Sequence, residues 1–159
     1  MRWLPASLHR AALPLAHRVR HRWRRWRKAP LAGVSVILAN PAGEVLLLRH
    51  SYGPPVWALP GGGIGPREDP RAAARREVRE EIGLGLGDLH CVTVMTEVIS
   101  GSPHTAHLFA ATTAESPHPD GREIIAAQFF PLDSLPDNLG RTTIARLATW
   151  RAWRASQQG

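Results

Sequence analysis

Residues 62–84 read GGIGPREDPRAAARREVREEIGL, a glycine-rich turn that runs into a short helix closed by three glutamates. No other stretch restricts the fold as tightly. Asp69-Pro70 predicts a helix start, because aspartate is a favoured N-cap and proline at the first helical position lacks only an N–H that would be unpaired there. Gly83 predicts the stop, since glycine takes the left-handed conformation of a C-cap without steric cost. Between them Ala74, Val78 and Ile82 recur every four residues and make a narrow buried stripe. At about 100° per residue, Glu77, Glu80 and Glu81 share one arc of this helix. Glu81 lies between Glu77 and the apolar stripe and is expected to sit deepest.

Such a cluster is unfavourable by itself. Like charges three and four residues apart repel, and carboxylates in a last turn oppose the helix macrodipole. Two kinds of cation answer it. Arg75, Arg76 and Arg79 would leave a solvated, salt-bridged face; a hard divalent ion such as Mg²⁺ would take the carboxylates as oxygen ligands. Gly61-Gly62-Gly63, after Trp57-Ala58-Leu59-Pro60, lets backbone approach a ligand closely.

The spacing G-x5-E-x7-R-E-V-x-E-E-x-G-L, on Gly62, Glu68, Arg76, Glu77, Val78, Glu80, Glu81, Gly83 and Leu84, resembles the Nudix box without a break. The resemblance implies an α/β/α sandwich with a mixed sheet. It also implies metal-dependent hydrolysis of a diphosphate linkage in a nucleoside diphosphate derivative or nucleoside triphosphate. Carried over residue by residue, the carbonyl of Gly61 with Glu77, Glu80 and Glu81 would hold Mg²⁺, with Mn²⁺ as a substitute. Glu77 or Glu80 would take the proton from water, Arg76 would orient a catalytic glutamate, and Glu68 would brace the loop beside the substrate. Two positions depart from commoner versions of the box: Gly65 stands for a frequent glutamate, and Arg67 for a frequent glycine.

The remaining sequence fits one small α/β domain over residues 31–159. Val34–Ala39 and Glu44–His50 predict a hairpin across Asn40-Pro41-Ala42-Gly43, and Trp57–Leu59 a short strand. Leu89–Ile99 and Thr105–Thr113 predict a longer hairpin across Gly101-Ser102-Pro103. Ile124–Pro131 is a further strand and Thr142–Ala155 a second amphipathic helix. The single cysteine, Cys91, lies in an apolar run and is expected in the core; it excludes an intrachain disulfide and fits a reducing, cytoplasmic setting. No apolar stretch approaches the roughly 18 residues of a membrane span.

Residues 1–30 differ from the rest. Residues 1–28 hold nine arginines and lysines and no acid, whereas the remaining 131 hold eleven and thirteen acids, so the net charge of +7 divides into +9 and −2. Leu15, Val19, Trp23 and Trp26 fall at helical spacing among arginines, which predicts a basic amphipathic helix. Four readings stand: a helix docked on its own domain, peripheral attachment to an anionic membrane, contact with RNA phosphates, and a cleaved presequence.

Around the box, Arg49, His50 and Tyr52 are candidates to face substrate, Arg49 through a bidentate grip on phosphate. Trp57 is core or a stacking platform, and His104 and His107 are expected at the surface. Glu123 is the better candidate for an extra base or ligand, Glu97 the weaker. Downstream landmarks of particular substrates are missing: the single tyrosine, Tyr52, lies upstream of the box, and the nearest following proline, Pro103, is nineteen residues after Leu84. A non-catalytic nucleotide-binding module of the same fold is the alternative, since a fold does not fix a function.

Overall fold

The computed structural model describes residues 32–99 and 101–159. The expected basic helix of residues 1–30 lies outside them. Six strands and two helices follow in the order β1 (Ala32–Ala39), β2 (Val45–His50), β3 (Gly61–Gly63), α1 (Pro70–Ile82), β4 (His90–Ile99), β5 (Ser102–Thr112), β6 (Ile124–Phe130) and α2 (Arg141–Gln157). The strands form one mixed sheet, ordered β4-β5-β1-β2-β6, with β3 paired to β1. β1 runs parallel to β5 along its whole length and antiparallel to β2 and β3.

The sandwich follows from alternation along β1 and β2, whose side chains point to opposite faces in turn. Val34, Val36, Leu38, Leu46 and Leu48 join Ala73, Ala74, Val78 and Ile82 of α1 in one apolar layer. Ile37, Ala39, Val45 and Leu47 join Leu147 and Trp150 of α2 in the other. The central strands are apolar on both faces because each face carries a helix. Among the described residues, no helix is long and apolar enough to cross a membrane.

α1 has the predicted ends. The Asp69 side chain accepts from the Ala72 N–H, and Gly83 closes the helix at φ 70° with its N–H on the Arg79 carbonyl. The strand expected at Trp57–Leu59 is displaced. Those residues make only isolated bridges, Ala58 to Leu48 and Trp57 to Leu139, and the glycines themselves are the strand. β1 and β2 meet at Ala39 and Val45 and then part, and the segment from Ala58 to Ile64 fills the opening. Ala58 exchanges hydrogen bonds with Leu48 on one side, while Pro60 O and Ile64 N bond to Val36 and Ala32 on the other. Strand preference read from side chains misses this, because backbone close approach, not side-chain packing, makes β3. Cys91 is exposed rather than buried, since β4 is an edge strand with β5 as its one neighbour in the sheet.

Candidate active site on the glycine strand

β3 presents one backbone edge to β1 and the other to α1. Gly62 pairs with Val34 at its centre, so strand alternation turns the N–H and C=O groups of Gly61 and Gly63 to the opposite edge. Side chains of α1 meet them there: Gly61 N donates to Glu81 Oε2 at 2.9 Å, and Arg76 Nη2 donates to the Gly63 carbonyl at 3.0 Å. By the same alternation the Gly61 carbonyl lies on this edge, beside the glutamates.

The glycines are required by contact. A Cβ on Gly62 would stand 2.4–2.7 Å from the Glu77 carboxylate, and one on Gly61 would stand 2.1 Å from the Val34 carbonyl oxygen. Glu77 thus lies under a bare backbone, and it is the deepest of the three glutamates at 1% exposure, against 5% for Glu81. The expectation that Glu81 sits deepest is corrected. Helix angle alone places Glu81 nearer the stripe, but the glycine strand covers Glu77. The Glu80 side chain is 52% exposed.

Arg76 organises these carboxylates. Its Nε donates to Glu68 Oε1 at 2.7 Å, its Nη2 to Glu68 Oε2 at 3.0 Å and its Nη1 to Glu77 Oε1 at 2.8 Å. Glu80 lies 3.6 Å away. Glu68 and then Glu77 hold the guanidinium charged, its pKa raised above the ordinary arginine value against the opposing effect of burial. Glu68 also accepts from Gly65 N at 2.7 Å, closing a turn in which Glu68 N donates to Gly65 O. With Pro66 second and Arg67 third at φ 61°, this has the form of a type II turn. Arg67 therefore occupies a left-handed position suited to glycine, the residue frequent there in commoner versions of the box. The other basic residues do not all join the cluster: Arg75 and Arg71 turn away to the Leu86 and Leu89 carbonyls.

Among the described residues, no three histidine, cysteine, aspartate or glutamate side chains converge into a ready metal cage. The donor chemistry nevertheless suits a hard cation: carboxylates of Glu77, Glu80 and Glu81 with a backbone carbonyl on the same edge, all oxygen.

The flanking candidates divide between the two faces. Arg49 lies with its guanidinium 5.8 Å from the Trp57 ring centre, and Trp57 packs edge-on against Phe130 at 4.8 Å, within the layer under α2. His50 and Tyr52 rings lie 5.1 Å apart, and Ser51 N donates to the Glu123 carbonyl, so Glu123 sits beside the end of β2. His104, expected at the surface, is buried, and Glu97, the weaker candidate for an extra base or ligand, is ion-paired to Arg146. Arg146 was not legible as a site residue, because a lone arginine in an amphipathic helix resembles any solvated position.

Residues 29–150 match the family model of the NUDIX domain. The chain belongs to the Nudix family. A stretch of 56 residues is 48% identical to the RNA pyrophosphohydrolase of Pseudomonas aeruginosa, 35% of each chain. The corresponding protein of Rhodospirillum rubrum is 47% identical over 51 residues, 32% of this chain and 31% of that one. The match spans about a third of the length of these curated relatives. A MutT NUDIX hydrolase from Burkholderia pseudomallei superposes with a TM-score of 0.68 at 26% identity, covering 76% of this chain and 97% of that one. The NUDIX domain of Shewanella oneidensis NrtR, solved with ADP ribose, shares the fold at a TM-score of 0.65 and 17% identity, over 80% and 90% of the two chains. Members of the family generally use divalent metals such as Mg²⁺.

Two substitutions test the Nudix site. Gly62→Ala drives a methyl into the Glu77 carboxylate, where overpacking costs about 1–3 kcal/mol; denaturant titration should show that loss, with none for Gly85→Ala, whose Cβ meets open space. Arg67→Gly relieves the left-handed strain and should raise stability by up to about 1 kcal/mol in the same titration.

Proposed function

We propose that the chain hydrolyses a diphosphate linkage in a nucleoside diphosphate derivative or nucleoside triphosphate, in a cytoplasmic setting. The observation that carries this reading is the meeting of Glu77, Glu81 and Arg76 on the free edge of a strand made of glycine. Buried carboxylates gathered where backbone is bare suit a site built to share a cation with a polyanion.

In this reading Gly61, Glu77, Glu80 and Glu81 hold Mg²⁺, for which Mn²⁺ substitutes, and the metal when bound neutralises the diphosphate oxygens. Arg76 fixes Glu77 through a guanidinium that is itself clamped by Glu68. Glu77 or Glu80 takes a proton from the attacking water, and the exposure of Glu80 favours Glu80, since a base must reach solvent before attack. The proton passes to the carboxylate as the water oxygen bonds to phosphorus and the bridging oxygen leaves in line. Arg49 and Tyr52 act at the substrate and Glu68 braces the loop; Glu123 stands as an extra base or ligand.

An RNA 5′ end is the second reading of the substrate. It is favoured by the partial likeness of the chain to RNA pyrophosphohydrolases and by the acid-free basic run of residues 1–28, which suits phosphate contacts. The same run suits an anionic membrane surface, and in this reading residues 1–30 form a segment separate from the hydrolase domain of 31–159.

A panel of nucleotides, nucleoside diphosphate conjugates and triphosphorylated RNA, assayed with Mg²⁺ for phosphate or pyrophosphate release, tests the reading. Glu80→Gln and Glu81→Gln should each lower turnover by about 10²-fold or more, as loss of a catalytic carboxylate does. Mg²⁺ should raise the melting temperature of the wild type by binding the folded state, and the double variant should lose that shift. No turnover on any member of the panel would leave the non-catalytic binding module as the better account. Deleting residues 1–28 should leave turnover on small nucleotides within a few-fold. It should abolish salt-sensitive binding to RNA or anionic vesicles, an attraction screened over about 10 Å at 0.1 M salt.

A further inference from the structure

The layer under α2 is largely apolar, but Ser35 of β1, Glu97 of β4, His104 of β5 and Arg146 of α2 meet within it. Arg146 Nη2 donates to both Glu97 oxygens at 3.2 Å, and Arg146 Nη1 donates to Ser35 Oγ. His104 is 8% exposed; its Nδ1 lies 3.8 Å from Glu97 Oε2 and makes no hydrogen bond, and the buried Arg146 Nε makes none either. Buried donors and acceptors are nearly always satisfied, and each one that is not weakens the fold. The half-buried Arg146–Glu97 ion pair is also a poor stabiliser compared with apolar packing of the same volume. Stability therefore does not account for this cluster.

Its position does. Ser35 is the register partner of Gly61, and Gly33 is the partner of Gly63. The His104 imidazole packs against Gly33, where an added Cβ would stand 3.2 Å from its Cε1 and Nε2. The outer edge of the same two β3 glycines bonds to Glu81 and Arg76. So the polar cluster and the carboxylates flank one glycine strand, and strands lie only about 5 Å apart. Exposure rises from Ser35 at 5% to the Glu97 side chain at 27%, so the cluster opens to solvent at Glu97.

We propose that Glu97, His104 and Arg146, with Ser35, form the wall that recognises the nucleoside half of the substrate. Glu97, the member that reaches solvent, accepts from an N–H edge of the base, while Arg146 and His104 hold its carboxylate toward that edge. This rests on the reading of the carboxylate site as a hydrolase of nucleoside diphosphate linkages, because that site places the phosphates one strand away. None of the four residues belongs to the box.

The test is equilibrium binding to the full chain with Mg²⁺, using adenosine, guanosine, cytidine and uridine 5′-(α,β-methylene)triphosphates and, as a probe without nucleoside, methylenediphosphonate. Glu97→Gln and His104→Asn keep shape. Glu97→Leu/Arg146→Met removes the pair together, so that no charge is left buried alone. Affinity for at least one nucleoside probe should fall about tenfold or more, as loss of a hydrogen bond that reads a polar edge does, with methylenediphosphonate unchanged. Equal weakening of both kinds of probe, no weakening in any folded variant, or a wild type that binds no nucleoside probe more tightly than methylenediphosphonate would each overturn the wall. Turnover of the nucleotide panel by the wild type reports on the hydrolase separately: turnover without base-dependent binding overturns the wall and leaves the hydrolase standing.

Discussion

The carboxylate of Glu77 lies against the bare Cα of Gly62, and much of the surrounding structure serves that contact. A charged group at 1% exposure needs both room and compensation. Room comes from the missing Cβ, compensation from Arg76 at 2.8 Å. Arg76 in turn is held by the Gly63 carbonyl and by Glu68, which accepts two of its hydrogen bonds and is itself fixed by the turn at Gly65. The turn, the glycine strand and the helix are thus three parts of one electrostatic arrangement. Moving any of them leaves a buried charge short of a partner, which is expensive in a low-dielectric setting.

How much of this was legible depends on where the determining atoms lie. The ends of α1 follow from Asp69, Pro70 and Gly83, because capping is a local matter of backbone dihedrals and orphan N–H groups. The two-sided sheet follows from the continuous apolar runs of β1 and β2, which only a strand with both faces covered can use. The glycine strand was not legible as a strand, since its partners are backbone atoms of β1 and side chains of a helix that comes later in the chain. The order of burial among the glutamates failed for the same reason: helix periodicity ranks side chains by their own stripe and knows nothing of a strand laid across them.

The cluster of Ser35, Glu97, His104 and Arg146 was less legible still. Its members come from four separate elements, and each alone has an ordinary surface explanation. What unites them is the order of the sheet, with β5 beside β1 in parallel and β4 outside it. Parallel pairing of β1 with β5 is a long-range choice that no local pattern states. It sets Thr105 opposite Ala32, so His104 comes beside Gly33, and it brings Glu97, across the β4–β5 ladder, within reach of a helix that follows some forty residues later.

A strand of glycines does something no other strand could do here. A side chain at Gly62 would fill the space of Glu77, and one at Gly61 would strike the Val34 carbonyl oxygen of β1. On β1 itself, a Cβ at Gly33 would press on His104. Without side chains the strand is one backbone thick, and polar groups from α1 and from the layer under α2 approach the same few peptide units. Such a strand has little packing energy of its own and loses more conformational entropy on folding than other residues do. It is held instead by hydrogen bonds to β1 on its inner edge and to Glu81 and Arg76 on its outer edge. Glu81, one of the carboxylates proposed to hold the metal, is therefore also part of what keeps the strand in place. On that reading a change at Glu81 bears on the strand as well as on the chemistry.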